Sequence, residues 1–477
     1  MQRRCGHGFL PRCRHTRQAI AKAIAAAAIL ALAACAARAP SPAPLPPETV
    51  ADTGSPSPQV HGTSGPLTQA RSERIIGKLE KQAPGDLLAR HLRAIENVIE
   101  APLRAGNAAR LLVDGPATHD AMFEAMARAR DHINLETYIL DDDPVGQELA
   151  ALLARKRAEG VRVHLMYDSV GVLSTPAEYF DGLRASGIAL CEYNPVNPLK
   201  SKRGWRLNNR DHRKILVVDG RVAFTGGINI SAVYASSSFA RFRRKPPAEE
   251  GWRDTHIEAR GPVVLDFQRL FLDAWKQQCG GLDETAAKYF PKLPAQGDKV
   301  MRVAAGEPGE SEIYAALLSA IERAENRIYL TVGYFVPDPR TLQALADAAR
   351  RGVDVQLALP GVSDFWAPLY AGRSHYQTLL EAGVRIHERR DALLHAKTAV
   401  IDGVWSTVGS TNVDWRSFVH NAEANLIVLG VDFGDRMEAL FRRDVDHSIE
   451  IDPQSWSRRG AAARMKEWFA RRWEYLL

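Results

Sequence analysis

Cysteine is scarce, with five in 477 residues, and no two form a Cys-x-x-Cys pair. Nothing therefore suggests a structural zinc site. There is no Gly-x-x-x-x-Gly-Lys-Ser/Thr loop, which argues against a nucleoside triphosphate as driver. Long apolar runs are missing as well. Residues 23–34 (AIAAAAILALAA) are too short to span a bilayer comfortably, and no other segment is apolar for long enough. Acid is absent from residues 1–34, which carry Arg3, Arg4, Arg12, Arg14, Arg17 and Lys22. The formal net charge is +6, so this segment accounts for it and the remainder is near neutral. A general basic footprint for nucleic acid is thereby excluded.

The basic start, the short apolar run and Leu32-Ala33-Ala34-Cys35 read as an export signal over residues 1–35. Its end resembles a bacterial lipobox, which predicts lipid on Cys35 and a membrane-anchored protein of the cell envelope, facing the periplasm or exterior. Ala36 offers no retention signal of the Asp type, so inner and outer membrane both stay open. Residues 39–66 hold eight prolines among Ser and Gly, a composition of tethers. Residues 36–85 are read as tether and entry segment, with a first helix at roughly 86–100. Cys191 and Cys279 remain in the mature chain and can pair or stay free.

The rest of the chain repeats once. INLETY (133–138) lies between helical patterns and is followed by VRVHLMYD; IYLTVGYF (328–335) lies in the same setting and is followed by VDVQLALP. Strand–helix–strand units of this kind predict an α/β sandwich in each half. KLPAQGDK marks the boundary, giving a first domain over 86–290 and a second over 291–477.

Each half carries one chemical motif. His212, Lys214 and Asp219 recur with the same spacing as His395, Lys397 and Asp402. Gly226 and Gly409 each lie seven residues past their aspartate, and Asn229 and Asn412 each lie seventeen past their histidine. A lone His-x-Lys-x4-Asp arises by chance in roughly one chain in a few tens. Two matched copies inside a repeated unit do not. Period-two alternation points His212 and Lys214 one way, with Leu216 and Val218 in line behind them, and turns Asp219 and Asp402 aside as supports near the strand end.

The pattern resembles the HKD motif of the phospholipase D superfamily, and the resemblance covers nearly everything from about residue 105 to 477. WRDTHIEARGP, GSTNVDWRSFVHNAEANLIVLG and LLVDGPATHDAM are similar to the cardiolipin synthase branch. The resemblance implies two tandem α/β sandwich domains about a pseudo-twofold axis with one shared active site. It implies His212 as the nucleophile that becomes a phosphohistidine, and His395 as the acid and base. Lys214 and Lys397 would neutralise the phosphate, while Asn229, Asn412 and Ser410 would donate to its oxygens. Asp254 and Glu423, each seven residues before a glycine, would hold the imidazoles. No cofactor or metal is expected, because two lysines meet the charge that a cation otherwise would. Gly227 stands where the second half has Ser410, which predicts an asymmetric site.

The expected function is phosphatidyl transfer from phosphatidylglycerol to a second phospholipid, giving cardiolipin, with no nucleic-acid partner. Its rivals are a phospholipase D-type hydrolase, a nuclease of the same superfamily and a non-catalytic lipid-binding scaffold. Two intact motifs argue against the scaffold. The basic runs at 241–245 and at Lys200, Lys202, Arg203 and Arg206 suit either a solvated loop or a headgroup contact. The C-terminal AAARMKEWFARRWEYLL suits either a packed terminal helix or a membrane-interface helix.

Overall fold

A computed structural model describes residues 58–96, 98–197, 206–236, 238, 251–283, 285 and 287–477. The signal segment, Cys35, most of the Pro-rich stretch, Lys200, Lys202, Arg203 and the 241–245 run lie outside these residues. The described chain belongs to one compact unit.

Each half is built on the same sheet. In the first, the parallel strands Ala189–Tyr193, Arg162–Asp168 and His132–Thr137 continue into the antiparallel series Ile215–Val218, Val222–Gly226, Thr255–Arg260 and Leu103–Val113. In the second, Arg385–Arg389, Asp354–Pro360 and Arg327–Val332 run parallel. They are followed by the antiparallel series Lys397–Ile401, Trp405–Gly409, Asn421–Leu429 and Lys299–Glu307. The parallel strands need crossovers: the helices Pro144–Ala158 and Pro339–Arg350 supply the first in each half, and Ala177–Ala185 and the pair Trp366–Arg373 and Tyr376–Glu381 supply the second. The first crossover helices both begin with an aspartate N-cap and proline, Asp143-Pro144 and Asp338-Pro339. Each aspartate accepts two backbone N–H groups of the first turn.

Alternation along the strands explains how the halves join. Leu216 and Val218 face the helices of their own half, whereas Ile215 and Val217 share a core with Met301, Val400, Val408, Leu426 and Val428 of the other. A strand buried on both faces reads as an unbroken apolar run, as Ile215-Leu216-Val217-Val218 does. The two sheets also meet edge to edge, where Leu103–Val113 pairs with Lys299–Glu307 across a register shift.

The N-terminal part of the body departs from the sequence reading. Residues 60–80, read as tether and entry segment, contain the strand Val60–Gly62 and the helix Gln69–Glu80. Val60–Gly62 pairs in parallel with Leu103–Val113. The helix Leu87–Glu96, assigned to the first domain by the 86–290 boundary, packs instead in the core of the second half, with Leu88, Leu92 and Ile95 beside Ile313, Leu317 and Ile321. Low local apolar density hid the first helix: of its side chains only Ser72 and Ile76 are buried. Cys191 and Cys279 form a disulfide with a Cα–Cα distance of 5.9 Å, tying a strand to the end of the helix Val264–Cys279.

Candidate active site

Two short parallel bridges create the site. Arg210 and Asp211 pair with Asn421 and Ala422, and Leu394 pairs with Arg253. The residue before each histidine thus lies beside the residue before the acid of the opposite half. The His212 N–H donates to the carbonyl of Ala422 at 2.9 Å, and the His395 N–H donates to that of Arg253 at 2.8 Å. Both histidines sit just ahead of their strands rather than within them, so the ladder fixes their backbone while the rings remain at the open end.

The acids cross over. His212 Nδ1 lies 3.0 Å from Glu423 Oε1, and His395 Nδ1 lies 2.7 Å from Asp254 Oδ2. With Nδ1 bound to a carboxylate, each ring keeps Nε2 for the substrate. Both rings line one cavity of about 470 Å³, whose walls include Tyr138, Trp252, Tyr334, Asn412 and Arg416. This falls in the usual range for a small-molecule site. Around His395 the wall is aromatic: Trp252 lies 5.3 Å away, and Tyr234 and Tyr334 each lie 6.1 Å away. Tyr138 meets His212 edge-on at 5.1 Å.

The remaining motif residues divide between the cavity and its supports. Lys214 Nζ donates to the carbonyl of His212 at 2.7 Å, and Lys397 Nζ donates likewise to that of His395. Asp219 accepts the backbone N–H groups of Arg130, Asp131 and His132. Asp402 accepts those of Glu325, Asn326 and Arg327 and also meets His91 Nε2 at 3.0 Å. Each aspartate therefore ties its own turn to the start of the neighbouring strand, with φ +53 at both. Asn229 and Asn412 accept the N–H of Ile139 and Tyr334 through their side-chain carbonyls. The amide of Asn229 donates to Tyr234 at 3.2 Å.

Ser410 does not reach toward the cavity as the resemblance implied. Its hydroxyl donates to Glu423 Oε2 and accepts the N–H of Ala424. On the other side a Cβ at Gly227 would lie 2.2 Å from Asp254 Oδ1. The glycine admits the aspartate, and the serine holds the longer glutamate. The asymmetry is a difference in how each acid is seated. Gly226 and Gly409 likewise serve close approach: a Cβ there would meet His256 Nδ1 at 2.5 Å or Asn425 Oδ1 at 2.0 Å.

Electrostatics separates the two pairs. Burial, then the Lys214 and Lys397 charges, hold His212 well below the ordinary imidazole range. Burial pushes its partner Glu423 up to about 7, against the pull of Lys214 and the Ser410 hydrogen bond. That pair is driven toward its uncharged form. Burial also lowers His395, then the Lys397 charge, while Asp254 opposes the shift. Burial would raise Asp254, but the charge and hydrogen bond of His395 outweigh it and the carboxyl stays below its usual value. Burial brings Lys214 down to about 7 and Lys397 to about 8.

Several wall residues carried no assignment in the sequence reading. Trp252 and Asn421 stand two residues before Asp254 and Glu423, and the Asn421 amide donates to Glu423 Oε1 at 3.2 Å. Their shared offset from the two acids was the available signal. Arg416 donates to Asn208 at 2.9 Å, and Tyr334 donates to Asp364 at 2.7 Å. Nothing local in the sequence marks either as part of the cavity. No cluster of His, Cys, Asp and Glu able to hold a metal ion occurs among the described residues.

Comparison with known proteins agrees with this architecture. The family model for cardiolipin synthase, PLD-like domain, matches residues 122–238 and 317–445. Cardiolipin synthase of Geobacillus kaustophilus is 34% identical over 79% of this chain and 74% of that protein. Cardiolipin synthase A of Pseudomonas putida GB-1 is 35% identical over 76% of this chain and 73% of that protein. The crystal structure of phosphatidylserine synthase from Haemophilus influenzae superposes with a TM-score of 0.58. It covers 81% of this chain and 100% of that one, and its 16% identity speaks to the fold alone. With two equivalent half-sites, exchanged acids and these matches over most of its length, the chain belongs to the PLD-like cardiolipin synthase family and is an enzyme of the phospholipase D superfamily.

Proposed function

We propose that the protein is a phosphatidyltransferase that joins two phospholipids through a phosphatidyl-histidine intermediate, with phosphatidylglycerol as donor and cardiolipin as product. The observation that carries this reading is the single cavity bounded by His212 and His395, each oriented by the other half's acid.

His212, held neutral by burial and by two neighbouring ammonium groups, attacks phosphorus through Nε2. The bond to the glycerol oxygen breaks with its electron pair. Protonated His395, supported by ionised Asp254, gives its Nε2 proton to that oxygen and glycerol departs. In the second step His395 removes the proton from the hydroxyl of a second phospholipid headgroup. The resulting oxygen attacks phosphorus, the phosphorus–nitrogen bond breaks and His212 is restored. Lys214 and Lys397 stand close enough to both rings to depress them, so the same charges act on a bound phosphate. The aromatic surround of His395 keeps water from competing with the alcohol. Lipid on Cys35 would hold the enzyme at its substrate, and Cys35→Ala should release it from the membrane fraction.

Product analysis by mass spectrometry on phosphatidylglycerol tests the reading, with His395→Ala as control. Cardiolipin and glycerol are expected. Phosphatidic acid as sole product would make the protein a hydrolase. Quenching in alkaline denaturant, which preserves the acid-labile phosphorus–nitrogen bond, followed by peptide mapping should place the phosphatidyl group on His212, and finding it on His395 would reverse the two roles.

A further inference from the structure

Large exposed apolar side chains are few among the described residues, and most gather in two neighbouring elements. Phe365 and Trp366 lie at the start of the helix Trp366–Arg373, with exposures of 48% and 50%. Met465, Trp468 and Phe469 lie on the helix Ala461–Arg471, at 66%, 59% and 50%. The two helices are locked together: Ala470 is fully buried against Val336 and Ala371, and Trp366 stacks on Phe469 at 6.4 Å. The aromatic groups therefore form one rigid patch rather than scattered contacts.

The charge around this patch is mainly positive, its acids being Asp364, exposed beside Phe365, and Glu474, 3.8 Å from Arg471. Arg464, Lys466, Arg471 and Arg472 are exposed around it. The one acid of the helix, Glu467, is turned inward and buried, held by Arg459 at 2.8 Å. The guanidinium of Arg472 lies 4.5 Å from the Trp468 ring centre, and Lys466 Nζ lies 5.2 Å from that of Tyr370. Aromatic rings interleaved with cations match an anionic lipid surface: rings sit at the acyl boundary while the cations meet phosphates. The patch is also continuous with the active-site mouth. Phe365 lines the cavity together with Pro368 of the same helix.

We propose that this patch is a docking surface for an anionic phospholipid bilayer, seating the cavity mouth on the membrane so that a headgroup enters without leaving the interface. The inference rests on the phosphatidyltransferase reading, and deepens it by naming the face that meets the lipid. The mouth and the rings then share one plane of approach. Lipid on Cys35 would confine the enzyme to a surface, and the patch would set its orientation there.

The test uses the full chain with vesicles of phosphatidylglycerol and phosphatidylcholine, and with dispersed short-chain phosphatidylglycerol as a monomeric substrate. The double variant Met465→Ser, Trp468→Ser removes exposed groups that do not line the cavity. It should keep its rate on the monomeric lipid and lose about tenfold on vesicles. Brominated acyl chains should quench wild-type tryptophan fluorescence, and less so in the variant. Arg464→Gln with Lys466→Gln should weaken preference for anionic over neutral vesicles. Equal vesicle rates and unchanged quenching in the double variant would overturn the proposal. So would a wild-type dimer that the variant dissociates, since the patch would then face a second copy. Wild-type protein quenched by the vesicles but inactive on both substrates would sink the functional reading and leave the surface standing.

Discussion

His212 and Glu423 come from opposite halves of the chain and lie 3.0 Å apart, and His395 and Asp254 repeat the exchange at 2.7 Å. Neither half holds a complete histidine–acid pair. Whatever the site does, it does only when both halves are folded against each other.

The exchanged acids should matter through the rings they hold. Asp254→Asn keeps side-chain size but loses a charge, Glu423→Gln loses a carboxyl that burial pushes up to about 7, and both can favour the wrong tautomer. Each should lower kcat by about 10²–10⁴-fold with a smaller change in KM. Combining them should cost less than the product of the two, because both act on one reaction centre. Steady-state kinetics on all three variants checks this.

Lys214 and Lys397 should show activity and stability moving in opposite directions with pH. Their folded values, about 7 and about 8, lie below the ordinary 10.5. Between those limits the unfolded chain binds more protons than the folded one, so their contribution to stability rises with pH. Activity needs the charged form and should fall over the same alkaline range. Lys397→Met should remove the unfavourable burial and raise stability by about 1 kcal/mol near neutral pH while abolishing turnover. Thermal unfolding and rate profiles from pH 6.5 to about 10 read both effects.

Asp219 and Asp402 should behave as supports rather than reactants. Replacing Asp402 by Ala leaves three backbone N–H groups and His91 without their acceptor. The expected loss is about 3 kcal/mol of stability. Urea unfolding measures it, and activity should be restored largely at low temperature, where the folded fraction recovers.

The Cys191–Cys279 disulfide closes 88 residues of sequence separation in the first half, away from the cavity. Changing both cysteines to alanine should lower stability by about 2–4 kcal/mol and leave kcat at a permissive temperature unchanged. A thermal shift with and without reductant gives the same comparison in the unaltered chain.

The sequence by itself determined the repeat, the strand types and the two motifs, because these rest on local signals. Ile215–Val218 reads as a buried strand from four consecutive apolar residues, and the matched spacings of His212 and His395 are visible without any fold. Which acid serves which histidine was decided only by tertiary structure: each carboxylate reaches its ring through a bridge between strands of different halves. The same holds for Ser410, whose hydroxyl turns to Glu423, and for the helix Leu87–Glu96, whose apolar face finds its partners more than two hundred residues away. Local chemistry writes a strand or a motif into neighbouring residues, but long-range pairing is set by how the finished sheets pack, and no short window of sequence contains that.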